Sequence, residues 1–290
     1  MKKRFGDRKD AVMVRKLDAM HIIMPMIMPN RADNEAFISE RIDLTELNKY
    51  LEKKNADNPE YKYNMFQLIV TALLKTVTLR PKMNRFIVNK ILYQRDEVSA
   101  SFIIKKIFSD TGEEGLAFIH AKPEDTIDSI HEKIHRQVSR SKGSGRDTLD
   151  QSSGAMEVLS RVPRVILNAV FVVIRFLDRH GWLPDSLIAT DPQRASVMLS
   201  NLGSIKLNSG YHHLANWGTN SFFVIIGERK LRPFYEEDGS YTMRDSVDIG
   251  ITVDERIADG YYYSKTVRLF RKLMAEPWLL EERLDKEIDY

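Results

Sequence analysis

The sequence predicts an α/β fold, and two observations carry that prediction. Strand-like apolar runs interleave with helix-like runs from one end of the chain to the other, the pattern of a sheet covered by helices. One such run, Val247 to Val253, passes through Asp254-Glu255-Arg256-Ile257-Ala258-Asp259-Gly260 straight into a helix-like run, Tyr261 to Ala275. There is no internal repeat.

Taken in order, Ala36 to Ile42 alternates apolar and polar residues, as a half-buried strand does. Leu44 to Lys53 and Asn64 to Leu79 read as helices. The second carries apolar residues at Phe66, Ile69, Val70, Leu73 and Leu74, and Arg80-Pro81 ends it. Ala100 to Phe108 and Leu116 to Ala121 read as strands, and Pro123 to Arg140 as a helix. Ser139 to Ser153, rich in Ser, Gly, Arg, Lys and Asp, reads as a solvated linker or loop. Arg161 to Leu177 is a strongly apolar helix, expected in the core, at a subunit interface or against a membrane surface. Ser196 to Leu199, Phe222 to Ile226 and Asp248 to Val253 are short strands.

Composition sets the broad class. A chain of 290 residues, 43% hydrophobic and 29% charged, is long enough for a sizeable core. A net charge of +3 is too small to suggest nucleic acid, and no recognition motif appears. The absence of cysteine excludes disulfides, thiolate metal sites and a cysteine nucleophile. Residues Met1 to Val14 form a charged segment without the apolar stretch of a signal peptide. The longest apolar run, Val165 to Leu177, is interrupted by Asn168 and Arg175 and is shorter than the ~20 residues of a transmembrane helix. A soluble, cytoplasmic protein is expected.

The segment Asp254 to Gly260 resembles the Asp-His-Arg-x-x-Asp-Gly signature of the dihydrolipoyl acyltransferases of 2-oxoacid dehydrogenase complexes and, more distantly, of chloramphenicol acetyltransferase. Every fixed position matches except the histidine, which is Glu255 here. Further matches keep the same order. Glu276-Pro277-Trp278-Leu279-Leu280 resembles the Glu-x-Pro-x-x-Leu-Leu after the last helix. Leu199-Ser200-Asn201-Leu202-Gly203 resembles a Ser-Asn-Leu-Gly strand end. Ala215-Asn216-Trp217-Gly218 stands at the family's Ile-Asn-Pro-Pro, and Phe222 to Gly227 resembles the apolar strand and glycine that follow. Arg15-Lys16, the strand Phe37 to Ile42 and Asp43-Leu44-Thr45 resemble the start of the family's catalytic domain. The likeness spans about Arg15 to Leu280, without a lipoyl or peripheral-subunit-binding segment.

The resemblance implies a chloramphenicol acetyltransferase-like two-layer α/β sandwich, with a mixed sheet and flanking helices, in one domain over residues 15–290. It implies a homotrimer or a higher trimer-based assembly, with the active site between subunits. The implied activity is acyl transfer between a coenzyme A thioester and a small-molecule acceptor, with no metal. In that family the histidine is the base and a Ser or Thr hydroxyl stabilises the oxyanion. Ser200 matches the hydroxyl. Asp259 matches an aspartate that pairs with an arginine near the N-terminus, for which Arg15 is the candidate. Gly260 would let the backbone turn tightly into the helix, and Asn216 would be structural.

Glu255 is the departure. A carboxylate with a pKa of ~4.3 is a poor base for a thiol near ~8.5, a gap of about 5–6 kcal/mol that burial can narrow. Glu255 is either catalytic or ligand-contacting, or an exposed carboxylate paired with a neighbour such as Arg256. His212 and His213 are candidates for a relocated base; paired histidines in a polar loop are also common surface residues. A non-catalytic trimeric scaffold or ligand-binding protein is the alternative reading. Tyr211, Trp217 and Tyr261 to Tyr263 suit a pocket, a core or an interface.

Two other patterns compete. His131-Glu132-Lys133-Ile134-His135 fits the short zinc-protease signature. The extended form fails at Val138, and the apolar stripe Ile127, Ile130, Ile134 and Val138 explains the helix by packing. The basic residues Arg136, Arg140, Lys142, Arg146, Arg161 and Arg164 suit either phosphates or a solvated surface.

Overall fold

The computed structural model describes residues 3–105, 114–142, 161–184, 188 and 191–290. The main sheet has six strands. In chain order they are β2 (Glu35–Asp43), β5 (Val98–Lys105), β6 (Glu114–Ala121), β7 (Val197–Asn201), β8 (Phe222–Tyr235) and β9 (Tyr241–Asp254). Their spatial order is β2-β9-β8-β7-β5-β6. The β5/β7 and β7/β8 pairs are parallel and the others antiparallel, so the sheet is mixed. A three-stranded sheet, β1 (Ala11–Met13), β4 (Ile91–Arg95) and β3 (Arg85–Val88), lies apart from it.

Strand alternation divides the main sheet into two faces. Val197, Leu199, Phe222, Val224, Ile226, Val247, Ile249, Ile251 and Val253 point into the main core. There they meet α2 (Thr45–Lys54), α3 (Met65–Leu79), α4 (Ile127–Lys142) and α6 (Gly260–Ala275). The helix α3 is buried along most of its length, and a capping box between Asn64 and Gln67 satisfies its first amides. Met198, Phe223 and Ile225 point to the outer face, where Leu214 of the β7–β8 crossover seals a smaller cluster. That crossover lies close to the sheet because glycines allow it. A Cβ on Gly250 would stand 1.9 Å from the Gly210 carbonyl oxygen, and one on Gly203 2.4 Å from that of Gly227.

Several expectations need adjustment. The strands expected at Phe222 to Ile226 and Asp248 to Val253 are two arms of a long hairpin, 14 residues each, turning through Gly239 at φ +83°. The β3–β4 hairpin was not anticipated. It turns on Asn89 and Lys90, both at positive φ, the geometry of a type I′ turn. The charged N-terminal segment contains β1, which pairs with β4. Of the linker expected at Ser139 to Ser153, residues 139–142 belong to α4 and the remainder lies outside the described residues. The apolar helix α5 (Arg164–Arg179) is not a core element, because only Asp178 of it is buried. Among the described residues no helix is long and apolar enough to cross a membrane.

Candidate functional site

The segment Asp254 to Gly260 is built around a buried charge. Asp254 ends β9 on the outer-face side and is fully buried. It accepts from Arg256 Nε at 2.8 Å and Nη2 at 2.7 Å, a bidentate pair. Arg31 Nε lies 3.8 Å from the same carboxylate. The two guanidiniums also hold backbone. Arg256 donates to the carbonyls of Met28 and Pro29, and Arg31 to those of Ala215, Trp217, Gly218 and Ile87. Burial pulls Arg31 down to about 10 against the attraction of Asp254. Asn216 completes the junction by accepting from the amides of Arg31 and Ala32. Tyr263 donates to the Asp254 carbonyl at 2.8 Å.

Two expected contacts change here, and Glu255 is exposed, as one of its two readings had it. Its backbone amide donates to Asn34; Arg256 is committed to Asp254 rather than to Glu255. Asp259 is not paired with Arg15. It caps α6, accepting from the Tyr262 amide at 2.8 Å, while Arg15 pairs with Asp7 at 2.9 Å inside the N-terminal segment. The buried arginines that serve this motif are Arg31 and Arg256, and both serve Asp254. Gly260 has no positive φ and nothing within 4 Å of an added Cβ, so no tight turn explains it.

Ser200 lies further along the outer face, four residues from Asp254 in the register of β9. It follows Met198 by two residues on β7 and pairs across with Ile225, which pairs with Gly250. Glu255 is five residues beyond Gly250, so within one chain it lies roughly 17 Å from the Ser200 row along the strands. Ser200 also borders a cleft of about 580 Å³ at the ends of the parallel strands, with Tyr61, Phe66, Phe102, Ile134 and Ser204 around it. That is where open α/β sheets commonly take ligands.

The histidine pair lies nearer to Ser200. The His212 ring stacks on Phe223 at 4.4 Å and 8°, and on His213 at 4.5 Å. Phe223 is two residues before the Ser200 partner Ile225, about 7 Å along the strand. His212 Nδ1 is 2.7 Å from the His213 carbonyl oxygen. A carbonyl only accepts, so Nδ1 carries the hydrogen and Nε2 of the neutral ring keeps its lone pair. Glu35 accepts from the Leu214 amide and Tyr211 packs on Phe37, which hold this loop against the sheet edge.

The remaining candidates disperse. His131 and His135 stack against Tyr63 and Tyr61, each at 3.9 Å, and burial lowers the His131 pKa. Among the described residues no cluster of three or more metal-ligating side chains forms. Arg146 and the side chains of Arg140 and Lys142 lie outside the description. Trp217 donates to Asp191, Tyr262 carries Arg80 on its ring at 3.7 Å, and Tyr261 is exposed. Arg31, Asn34 and Glu35 were missed by sequence reasoning. The available signal was Asp254 itself, since a carboxylate closing an apolar strand needs a buried cation.

No family model matches the sequence, and no curated protein matches it. Solved structures do. A probable dihydrolipoamide acetyltransferase from Listeria monocytogenes 4b F2365 superposes with a TM-score of 0.57 at 13% identity, covering 96% of this chain and 97% of that one. A truncated catalytic core of the 2-oxoacid dehydrogenase multienzyme complex from Thermoplasma acidophilum gives 0.54 at 13% identity, over 91% and 98%. Dihydrolipoamide acetyltransferase from Azotobacter vinelandii gives 0.53 at 13%, over 93% and 94%. The chain therefore has the fold of these acetyltransferase cores, the chloramphenicol acetyltransferase-like two-layer sandwich, over nearly its whole length.

Proposed function

We propose that the protein is a cytoplasmic acyltransferase that moves an acyl group between a coenzyme A thioester and a small acceptor, as a homotrimer or a larger trimer-based assembly. The observation behind this reading is the shared outer face. Ser200 borders a cleft of about 580 Å³, within the usual size of small-ligand sites, and the His212 ring stacks on Phe223, two residues or about 7 Å along the strand from the Ser200 partner Ile225.

His212 Nε2 takes the proton from the acceptor thiol or hydroxyl, and the freed sulfur or oxygen attacks the thioester carbonyl. The Ser200 hydroxyl donates to the oxyanion of the tetrahedral intermediate. Collapse expels the coenzyme A thiolate, which recovers the proton from the imidazolium. An imidazole near 6.5 lies only about 2 pKa units below a thiol, a gap of ~3 kcal/mol, whereas a carboxylate lies about 4 units below.

A second reading supplies Glu255 from a neighbouring copy. It is favoured by the exposure of Glu255 and by the ~17 Å that separates it from Ser200 in one chain. Thiol release from a panel of acyl-CoAs, with mixed alcohol, amine and thiol acceptors, decides between them. Loss of turnover in His212→Gln, of about 10²–10⁴-fold, with Glu255→Gln unchanged, supports the first reading. The reverse pattern supports the second, and then mixed oligomers of Ser200→Ala and Glu255→Gln recover activity. Absence of turnover in the folded native protein favours the non-catalytic scaffold. His213→Ala serves as the control for ring stacking.

A further inference from the structure

Two helices carry exposed apolar side chains, and their charge patterns differ. Helix α1 (Ala19–Ile27) exposes Met20, Ile22, Ile23, Met26 and Ile27. It has no acidic residue in its first turn and no basic residue in its last. Helix α5 exposes Val165, Ile166, Val170, Val172, Val173 and Phe176, with Val165 at 82% and Val172 at 65%. At about 100° per residue these six occupy an arc of roughly 160°. Arg164, Asn168, Arg175 and Arg179 fall in an adjoining arc of roughly 60°. Leu167, Phe171, Ile174 and Asp178 face the protein, Phe171 against Trp217 at 5.7 Å.

The single acid of α5 does not offset the arginines at the surface. Asp178 is buried and accepts from Arg8 at 3.2 Å and Arg194 at 2.9 Å. Three arginines therefore border the apolar arc on a helix whose exposed surface carries no carboxylate. Trp182, 58% exposed, follows the helix. With 16 residues, α5 is ~24 Å long, less than the ~30 Å of a bilayer core. A broad apolar face, a bordering cationic stripe and an interfacial aromatic are the features of helices that lie in a lipid surface.

We propose that α5 docks the protein on an anionic lipid surface. Its apolar arc enters the acyl boundary while Arg164, Arg175 and Arg179 reach the headgroup phosphates. A second copy of the chain would cover the same apolar arc without accounting for the cationic border, which requires negative charge opposite it.

The test is sedimentation of the full-length protein with vesicles of phosphatidylcholine alone, or of phosphatidylcholine mixed with phosphatidylglycerol. Binding is expected to the mixed vesicles, to fall at high salt, and to be weak with phosphatidylcholine alone. Replacing Arg164, Arg175 and Arg179 together with Gln is expected to weaken it about 100-fold, taking about 1 kcal/mol for each arginine near the surface. Val173→Asp is expected to abolish it, with thermal stability and oligomeric state unchanged because the side chain is exposed. Equal binding to both vesicle types, or none to either, overturns the proposal. So does a change of oligomeric state in Val173→Asp, which assigns the face to a second copy. Soluble acyl transfer is read separately on the same samples, so loss of vesicle binding with intact turnover counts against this surface alone.

Discussion

Two regions of the sheet's outer face, around Asp254 and around Ser200, are built differently. Around Asp254 every charged group of the motif except Glu255 is held. Asp254 and Arg256 form a buried bidentate pair, Arg31 ties four carbonyls, and Asp259 caps α6. Around Ser200 a hydroxyl borders an open cleft, and the His212 imidazole stacks on Phe223 of the outer face. Acid, arginine and aspartate in the signature are thus explained by folding alone. The chemistry proposed here rests on groups that the fold leaves available.

The contrast has measurable consequences. The largest is expected for Asp254→Ala, which leaves Arg31 and Arg256 buried without their carboxylate. A loss of about 3–5 kcal/mol in denaturant unfolding is expected. Ser200→Ala should unfold within ~0.5 kcal/mol of the native protein, as surface changes do. A large loss there would make Ser200 structural and erase the distinction between the two regions.

Ser200→Ala instead acts on turnover. Removing an oxyanion donor is expected to lower kcat about 10²–10³-fold, measured as thiol release with KM followed in parallel. An unchanged kcat would move the oxyanion donor elsewhere. Asp259→Ala should cost about 1 kcal/mol, the usual value for a lost N-cap, with turnover unchanged. A turnover loss beyond that effect would return Asp259 to the chemistry.

The smallest effect concerns Arg15, which the structure gives to Asp7. The Arg4 amide, the Met13 amide and the Arg15 guanidinium hold the Asp7 carboxyl down to about 2. A depressed acid contributes stability above its unfolded pKa and loses it as pH falls through the folded value. The stability difference between the native protein and Asp7→Asn should therefore be present above about pH 4 and vanish between pH 4 and about 2. A difference that stays undiminished well below pH 2 would show that ionisation of Asp7 is not its source.

Much of the fold was readable. The half-buried strand at Ala36 to Ile42, the capped apolar helix after Asn64 and the strand-to-helix junction at Asp254 to Gly260 all follow local rules of period and capping. The outer halves of β8 and β9 were not readable. Leu231 to Tyr235 and Tyr241 to Asp245 include no buried residue, and their strand character comes from pairing with each other beyond the end of β2. Candidate residues could be named from the sequence, but their contacts could not. Ser200, His212 and Glu255 were candidates from the sequence alone, whereas Arg31, which joins residues 28–34 to 215–218, carries no local mark of that role.

The sequence by itself determined the α/β class, the order of the motifs and the alternation that sets neighbouring side chains on opposite faces, because these depend on periods of two and 3.6 residues. Only the tertiary structure decided that Asp254 is buried while Glu255 is exposed, that Arg15 serves Asp7 and Arg31 serves Asp254, and that His212 lies closer than Glu255 to Ser200. Those outcomes depend on contacts that form only in the folded chain, from the near pair of Arg15 and Asp7 to the distant ones of Arg31 with Ala215 and Arg256 with Met28. For Asp254 the free energy comes from burying charge against charge and backbone carbonyls in the assembled fold, a term that no local window of sequence contains.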